Sequence, residues 1–333
     1  MIIRLLLRLT VPFTLLLLAL LPVAAAESIA AVEQYESTFS NQSGHHEFNL
    51  LAIASLSNVT IDGFKIHELS DLAWDEDENL LYALSDNGYL LHLRPVFDDN
   101  KLTDVLFIKG YSLRDKNNKS LRFKESDSEG IVIKNSNNGI QGDSRLIVSF
   151  ERIPRLIQFT TDGNMIAEIP LPVELADIKN YQGENKSLEA VTSHNQFGII
   201  TGPELPLITK PGSNALDIYS LNGEYWSFPV HNQHYGALVG MTIMPDGSVL
   251  ALERAHGGLF PATEITLHRI VLDKDKSGSE KICSFGPDNG LLNENFEGIT
   301  RFRGDTYFMI SDDNNHPLKR TLLVYFSITG KQQ

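Results

Sequence analysis

The chain has 333 residues and a formal net charge of −14, with 42 acidic against 28 basic residues. Nucleic acids and anionic membrane surfaces need basic patches on their partners, so this composition argues against both. The chain has one cysteine, Cys283, which excludes an intramolecular disulfide, and the fold must be stabilised by its core.

The N-terminal stretch, 1–26, has the pattern of a secretory signal peptide. Two arginines stand in a basic start, the apolar run LTVPFTLLLLALLPV follows, and small alanines precede Glu27. The alternative is a retained membrane anchor, but the apolar run is short for a span of about 20 residues. We therefore expect an exported protein, periplasmic or secreted, with no stable membrane insertion after cleavage.

The rest of the chain reads as one domain. We expect a loose segment over residues 27–46 and a single domain over 47–333, because no linker rich in Pro, Gly or Ser divides this stretch. We also expect a monomer. Helical patterns are scarce, and residues 171–181 are the best short candidate.

Five segments share one pattern: a short apolar strand, a turn rich in Asp, Asn or Gly, and a second apolar strand ending in an acidic residue. The segments are 70–88, 127–152, 187–204, 238–257 and 296–314. We align them at Asp71, Glu129, Glu189, Gly240 and Glu297. These positions recur with a nearly constant period. A period of about 50–60 residues built from short strands is typical of a β-propeller.

Two further strand-like runs follow each pair, which gives about four strands per repeat, as in one propeller blade. The fifth repeat has only one such run, and residues 48–59 offer the missing outer strand. Closing the ring with strands from both termini removes open sheet edges. We predict an all-β propeller with five four-stranded blades. The alternatives are a sixth, degenerate blade, in the N-terminal segment or in 205–237, and an ordinary β-sandwich.

The spacing of the acidic residues places them together. The interval between the first and second acidic positions is identical in repeats one, three and five, longer in repeat two, and shorter in repeat four, where Gly240 replaces the first acid. Two antiparallel strands joined by a short turn bring such positions to the same end. We therefore expect one mouth of the central channel to be ringed by Asp71, Asp86, Glu129, Glu151, Glu189, Glu204, Glu253, Glu297 and Asp312, with Asp313 adjacent.

So many carboxylates in one place raise one another's pKa or recruit cations. Arg152 and Arg254 follow acids directly and can pair with some of them. The remainder favours a hard divalent metal ion, Ca²⁺ or else Mg²⁺. Its expected ligands are Asp71, Asp86, Glu129, Glu189, Glu204, Glu297 and Asp312. The alternative is that these acids are solvated or accept hydrogen bonds from the backbone of neighbouring blades.

Basic and imidazole side chains accompany the acids. His256 stands beside Arg254, and His316 and Lys319 follow Asp312 and Asp313. Such a mouth can bind a phosphate through metal and guanidinium together. The candidate catalytic residues are Glu129, Glu151, Arg152, Glu253, Arg254 and His316. The candidate substrate-binding residues are Arg152, Arg254, His256 and Lys319.

Several segments resemble a bacterial family called esterase-like activity of phytase, or phytase-like domain. They are DSEGIVI, SFER, NKSLEAVT, GMTIMPDGSVLALER, NFEGIT and MISDDN, within about residues 60–327. The resemblance implies an exported β-propeller with metal-dependent phosphoric-ester hydrolase activity. The motif positions carried over are Glu129, Glu151, Arg152, Glu189, Glu253, Arg254, Glu297 and Asp312. Repeat four departs from the pattern at Gly240, and repeat three lacks an arginine after Glu204.

Three functions are compatible with these observations. The first is metal-dependent hydrolysis of a small-molecule phosphoric ester at the acidic mouth. The second is hydrolysis of carboxylic esters or lactones at the same place, and the third is ligand binding without catalysis. Phytate itself would need a broad basic surface, which this acidic chain does not offer.

Overall fold

A computed structural model describes residues 26–40, 44–210, 215–231, 236–257, 262–273, 277–286 and 294–330. The expected signal peptide, apart from Ala26, lies outside the described residues. Among the helices in the described ranges, none is long and apolar enough to cross a membrane.

The described strands form a propeller of five blades, as predicted from the repeats. The N-terminal strands are β1 (Glu27–Ser28), β2 (Ala30–Ser40), β3 (His46–Leu56), β4 (Thr60–Ile61) and β5 (Phe64–Lys65). Blade 1 has β6 (Leu69–Asp75), β7 (Leu80–Ser85), β8 (Tyr89–Asp98) and β9 (Lys101–Ser112). Blade 2 has β10 (Ser128–Lys134), β11 (Arg145–Phe150), β12 (Arg155–Thr160) and β13 (Met165–Ile169).

The remaining blades follow in chain order. Blade 3 has β14 (Leu188–His194), β15 (Gly198–Pro203), β16 (Ala215–Ser220) and β17 (Tyr225–Pro229). Blade 4 has β18 (Gly236–Ile243), β19 (Val249–Gly257), β20 (Ala262–Val271) and β21 (Gly278–Phe285). Blade 5 has β22 (Asn295–Arg301), β23 (Thr306–Asp312) and β24 (Leu322–Gly330). The predicted helix near 171–181 is one short turn, α1 (Val173–Ala176), followed by a 3₁₀ turn.

The ring is closed by an N-terminal strand, as predicted. Strand β3 pairs antiparallel with β24 and supplies the fourth strand of blade 5. Strand β2 then pairs with β3, and β1 pairs with β9 of blade 1. The expectation of a loose segment over 27–46 is therefore corrected. The described side chains of β2 are not buried, so the sequence shows no clear core-facing alternation there, and backbone pairing with β3 orders the strand.

The hydrophobic core is divided among the blade interfaces. Five clusters of buried residues lie between successive blades and close the circle between blades 5 and 1. Because each blade is packed on both faces, inner strands such as β6 and β7 are buried along their whole length. This explains why the first two strands of each repeat read as continuous apolar runs.

The first strands of neighbouring blades pack together around the axis, where space is tight. A Cβ on Gly298 would lie 2.4 Å from the Cα of Asp71, and one on Gly240 would lie 2.5 Å from the carbonyl oxygen of Glu297. These glycines therefore permit a close approach of backbone to backbone, as expected for the glycine that follows Glu297. The strand ends carrying the acidic residues are held close together as a result.

Gly298→Ala should destabilise the propeller, because the added methyl group meets backbone of the adjacent blade, which cannot rotate away. We expect the free energy of unfolding to fall by about 1–3 kcal/mol, measured by urea denaturation. Gly278→Ala is the matched control, since no neighbouring atom in the described part of the chain lies within 4 Å of a Cβ at that position. Equal denaturation midpoints for the two variants would contradict the close approach at the axis.

Candidate active site at the acidic mouth

Backbone register decides which second-strand residue of each blade faces the mouth. The backbone N–H of Asp86, Glu151 or Glu204 donates to the carbonyl of the residue just before its partner strand, at 2.9–3.3 Å. In blade 5 the same position pairs Asp312 with Asn295. In blade 4 it pairs Arg254 with Ala237. The second-strand ring therefore contains Asp86, Glu151, Glu204, Arg254 and Asp312.

A β-bulge in each first strand supplies the inner ring. The register shifts between Leu69 and Asp71 in blade 1, and at the corresponding positions of the other four blades. The extra residue at a bulge is left outside the ladder and turned in a new direction. These bulge positions hold Ser70, Glu129, Glu189, Val239 and Glu297.

The two rings enclose a cavity of about 200 Å³ at the mouth. Its lining residues are Asp86, Asp127, Glu129, Glu151, Arg152, Asn185, Lys186, Glu189, Glu204, Arg254, Glu297, Asp312 and Asn314. Eight of them carry carboxyl groups and three carry basic groups. The cavity therefore has a large excess of negative charge when its acids are ionised.

Two groups of three carboxylates are close enough to share a cation. Asp127, Glu129 and Glu151 form one group, and Glu151, Glu189 and Glu204 form the other. Within each group the nearest oxygens all lie within 4.8 Å of one another. Glu151 belongs to both groups, and all the donors are hard oxygen atoms, which suit Ca²⁺ or Mg²⁺. The geometry therefore fits the predicted type of cation. Of the predicted ligands, the two groups contain Glu129, Glu189 and Glu204, together with Asp127 and Glu151, and they leave out Asp71, Asp86, Glu297 and Asp312.

Burial and mutual repulsion favour the protonated form of these acids. Burial, followed by the negative charge of Glu68, raises the pKa of Asp86 to about 8. Burial and Glu204 raise the pKa of Glu151 to about 8, and burial and Glu297 raise that of Asp312 to about 7. Burial also raises the pKa values of Glu129 and Glu189 well above their ordinary range. Ionising the whole cavity near neutral pH therefore requires a compensating cation.

Three basic side chains compensate part of this charge. Arg254 is buried and contacts the carboxylates of Glu204 and Glu297. Lys186 Nζ lies 2.5 Å from Glu204 Oε2, and Arg152 pairs with Asp127 at the edge of the cavity. The side chains of Lys186 and Arg152 remain 41% and 36% exposed, so both can meet a molecule entering from solvent.

Four lining residues were absent from the predicted site. Asp127 precedes Glu129 by two residues, and the period of a strand puts such residues on one face, so this signal was present in the sequence. Asn185, Lys186 and Asn314 come from loops at the mouth, whose path the repeat pattern does not specify.

Asp71, a predicted metal ligand, does not line the cavity. It lies one residue past the bulge, and its carboxylate accepts hydrogen bonds from the backbone N–H of Ile131 at 2.8 Å and of Ile299 at 2.9 Å. These residues belong to the two neighbouring blades, so Asp71 ties three first strands together on the axis. Burial raises its pKa well above the ordinary value despite these bonds. The alternative considered for the acids, acceptance of backbone hydrogen bonds, describes Asp71.

Glu253, a predicted catalytic residue, also lies outside the cavity. Its Oε2 is 2.6 Å from His268 Nε2 and accepts a hydrogen bond from the backbone N–H of His231 at 2.8 Å. The side chain is buried. Neighbouring residues of a strand point to opposite faces, so Arg254 faces the mouth and Glu253 faces away. The interval shared by repeats three and five is restored when this blade is aligned at Val239 and Arg254.

Three other predicted residues, Asp313, His316 and Lys319, lie in the loop after β23 and do not line the cavity. His316 and Lys319 are both exposed. Lys319 Nζ lies 2.5 Å from Oδ1 of Asn314, which does line the cavity. His256 lies within β19, but its side chain is outside the described part of the chain. Asp313 is buried and accepts a hydrogen bond from the backbone N–H of Glu68.

Fold and site together define a five-bladed β-propeller with a carboxylate-lined mouth. The sequence profile of the phytase-like family, described as esterase-like activity of phytase, matches residues 65–315. The chain belongs to this family, as its motifs indicated. No curated protein matches the chain.

Solved structures that are similar to this chain include the following three proteins. A gluconolactonase from Xanthomonas campestris is 10% identical with a TM-score of 0.40, covering 92% of this chain and 99% of its own. The β-propeller domain of Cps50 (Swd1) from Myceliophteria thermophila is 10% identical with a TM-score of 0.39, covering 91% and 100%. Sqt1 from Saccharomyces cerevisiae is 8% identical with a TM-score of 0.39, covering 92% and 100%.

Proposed function

We propose that the acidic mouth is a hydrolase site for phosphoric esters of small molecules, which works with Ca²⁺ or, second, Mg²⁺, in an exported protein. The observation that carries this proposal is the position of Glu151 in two carboxylate groups whose oxygens lie within 4.8 Å. Membership of the phytase-like family supports hydrolysis as the reaction class.

The cation would be held by chain residues from blades 2 and 3. Glu151, Glu189 and Glu204 form the more buried group, and Asp127 and Glu129 extend it through Glu151. A hard divalent cation bound there supplies charge compensation and polarises a phosphoryl oxygen. Within the cavity lining, these are the acids grouped closely enough to share one ion.

Exposed basic side chains would orient the ester. Lys186 and Arg152 reach solvent at the edge of the cavity and can donate hydrogen bonds to phosphoryl oxygens. Arg254 was a candidate for the same role, but it is buried and its guanidinium already binds Glu204, Glu297 and Asn295. We therefore assign ester binding to Lys186 and Arg152 and not to Arg254.

Proton transfer would come from the other side of the cavity. Asp86, with a pKa of about 8, is mostly protonated near neutral pH, and Asp312, with a pKa of about 7, is protonated in a large fraction of the molecules. Such a carboxylic acid is suited to protonate the leaving-group oxygen as the ester bond breaks. The ester would then lie between these acids and the carboxylates of blades 2 and 3.

A neutral carboxylic ester or lactone is the second candidate substrate. The excess of carboxyl over basic groups in the cavity repels a molecule that carries several phosphates. A neutral ester avoids this repulsion and uses the same cation and the same acids. The charge of the cavity is the observation that favours this candidate.

A substrate panel tests both candidates. The mature protein is incubated with an aryl phosphate, an aryl phosphodiester, an aryl acetate and a lactone, each with Ca²⁺, with Mg²⁺ and with a chelator. We expect cation-dependent turnover of a phosphoric ester. Turnover confined to the acetate or the lactone replaces the first candidate with the second. If Ca²⁺ raises the melting temperature but no substrate turns over, the mouth is a binding site and hydrolysis is rejected.

Lys186→Met should raise KM for the hydrolysed ester by about 10- to 100-fold, because a charged hydrogen bond to the substrate is lost. Lys124→Met is the matched control, since Lys124 forms an exposed pair with Glu184 and does not line the cavity. Steady-state kinetics of both variants give the comparison. An unchanged KM in Lys186→Met would remove this lysine from ester binding.

A further inference from the structure

Arg254 occupies a position that the other four blades give to an acid. It pairs with Ala237 in the register where Asp312 pairs with Asn295. The second-strand ring therefore consists of four carboxylates and one guanidinium. Because the arginine stands in the ring itself, it makes one side of the cavity less negative and leaves the other side acidic.

The contacts of Arg254 resemble those of a bound cation. Its Nη2 donates to Glu204 Oε1 at 2.9 Å, and its Nη1 donates to Asn295 Oδ1 at 3.1 Å and to Glu297. The residue is 8% exposed, so these are charge-assisted bonds in a largely water-excluded place. Its Nε–H is buried and has no hydrogen-bond partner among the described residues, whereas both Nη atoms are held by the carboxylates and Asn295.

The compensation is uneven around the cavity. Burial lowers the pKa of Arg254, but the neighbouring carboxylates of Glu297 and Glu204 raise it by more, so the guanidinium stays charged. The guanidinium compensates the negative charge of Glu204 on blade 3 and of Glu297 on blade 5. On the other side, Asp127, Glu129 and Glu151 lie together, and the ion pair described there joins Arg152 to Asp127.

We infer that Arg254 is a built-in cation that replaces a second metal ion and confines divalent-cation binding to the blade 2 and blade 3 side. The inference rests on the proposed function insofar as it assumes a divalent cation at the mouth. It makes Arg254 a positioning residue. The guanidinium accounts for three oxygen atoms that point at one place, from Glu204, Glu297 and Asn295. Once the guanidinium is removed, these oxygens are suitable ligands for a hard cation.

The test is the number of Ca²⁺ ions bound per chain, measured by calorimetry and native mass spectrometry on the mature protein. We expect Arg254→Gln to bind one Ca²⁺ more than the wild type, and Arg254→Lys, which keeps a positive charge, to bind the wild-type number. Arg269→Gln is the matched control, because it removes an arginine from Asp246 at a site remote from the mouth. An unchanged number of ions in Arg254→Gln would overturn the inference, as would a gain of one ion in Arg254→Lys.

A second variant covers the case in which Arg254→Gln does not fold without metal. In Arg254→Ala, millimolar guanidinium should raise the melting temperature and displace the additional Ca²⁺. Refolding of Arg254→Gln upon addition of Ca²⁺ also supports the inference. If neither Ca²⁺ nor guanidinium stabilises Arg254→Gln or Arg254→Ala, the inference is contradicted. If the wild type binds no divalent cation at all, the proposed metal-dependent function fails, whereas a first ion gained by Arg254→Gln still supports the role of Arg254.

Discussion

Glu151→Gln should weaken Ca²⁺ binding more than any other single change at the mouth. Glu151 is shared by both carboxylate groups, so one substitution removes a charged ligand from each. Because loss of even an outer-shell partner costs a metal site roughly 10- to 100-fold in affinity, we expect at least about 100-fold here. Turnover of any cation-dependent substrate should fall in parallel. Calorimetric titration with Ca²⁺ measures the affinity directly.

Two control variants separate this effect from a general loss of charge. Glu168→Gln removes an exposed carboxylate on β13 and should leave the Ca²⁺ affinity unchanged. Glu253→Gln removes a buried carboxylate that faces away from the mouth, so it should lower stability and not Ca²⁺ affinity. If Glu151→Gln bound Ca²⁺ as tightly as the wild type, Glu151 would not be a ligand.

The metal-free protein should lose stability as the pH rises from about 4.5 to about 8. Folding raises the pKa values of Asp86, Glu151 and Asp312 from their ordinary 3.8–4.5 to about 7–8. Between these limits the folded protein binds more protons than the unfolded chain, so a higher pH favours unfolding. The protonated carboxyl groups contribute their full stabilisation below their ordinary pKa values. This contribution is lost as the pH rises through their raised pKa values.

The size of this loss follows from the linkage between protons and folding. One group with a rise of two units contributes about 2.7 kcal/mol. The lowered pKa values of His92 and His231 oppose the trend only below about pH 6.5, so we expect a total loss of at least about 3 kcal/mol. Acids whose pKa is lowered, such as Asp246 at about 2, act below pH 4 and do not affect this window. Denaturation in urea at pH 5 and pH 8 in the presence of a chelator measures the difference.

Divalent cations should reverse this trend. Ca²⁺ binds ionised carboxylates, so it competes with protons and stabilises the folded state more as the pH rises. With excess Ca²⁺ the melting temperature should be at least as high at pH 8 as at pH 5. A metal-free stability that is flat between these two pH values would show that the mouth acids ionise without cost and need no cation.

The fold could be predicted from the sequence because it is repeated. Five recurrences of a strand pair indicated the blade number, and the missing outer strand after β23 and β24 indicated that the N-terminus closes the ring. Strand β2 escaped prediction because its described side chains are not buried. A strand held at a sheet edge by backbone hydrogen bonds leaves little trace in a hydrophobic pattern.

The site was predicted in outline, and the errors come from the β-bulges. The pair Glu–Gly in blades 2 and 5 placed Glu129 and Glu297 correctly beside the mouth. In blades 1 and 4 the alignment was displaced by one residue, and one residue is enough to turn a side chain to the opposite face. Asp71 and Glu253 were therefore assigned to the ring positions that Ser70 and Arg254 occupy, although Arg254 was also predicted at the mouth as a basic residue. In blade 4 the shorter interval between the aligned positions was the signal of this displacement. In blade 1 the displaced alignment gave the same interval as repeats three and five, so the spacing held no signal there.

A crystal structure of the mature protein grown with Ca²⁺ at pH 8, and again with Mn²⁺ for anomalous scattering, tests the central claim most directly. We predict a metal peak bound by carboxylate oxygens of Glu151, Glu189 and Glu204, with Arg254 still paired to Glu204 and Glu297. An ordered mouth with no peak at either metal, or a peak bound only outside the cavity, would contradict a cation-dependent site there.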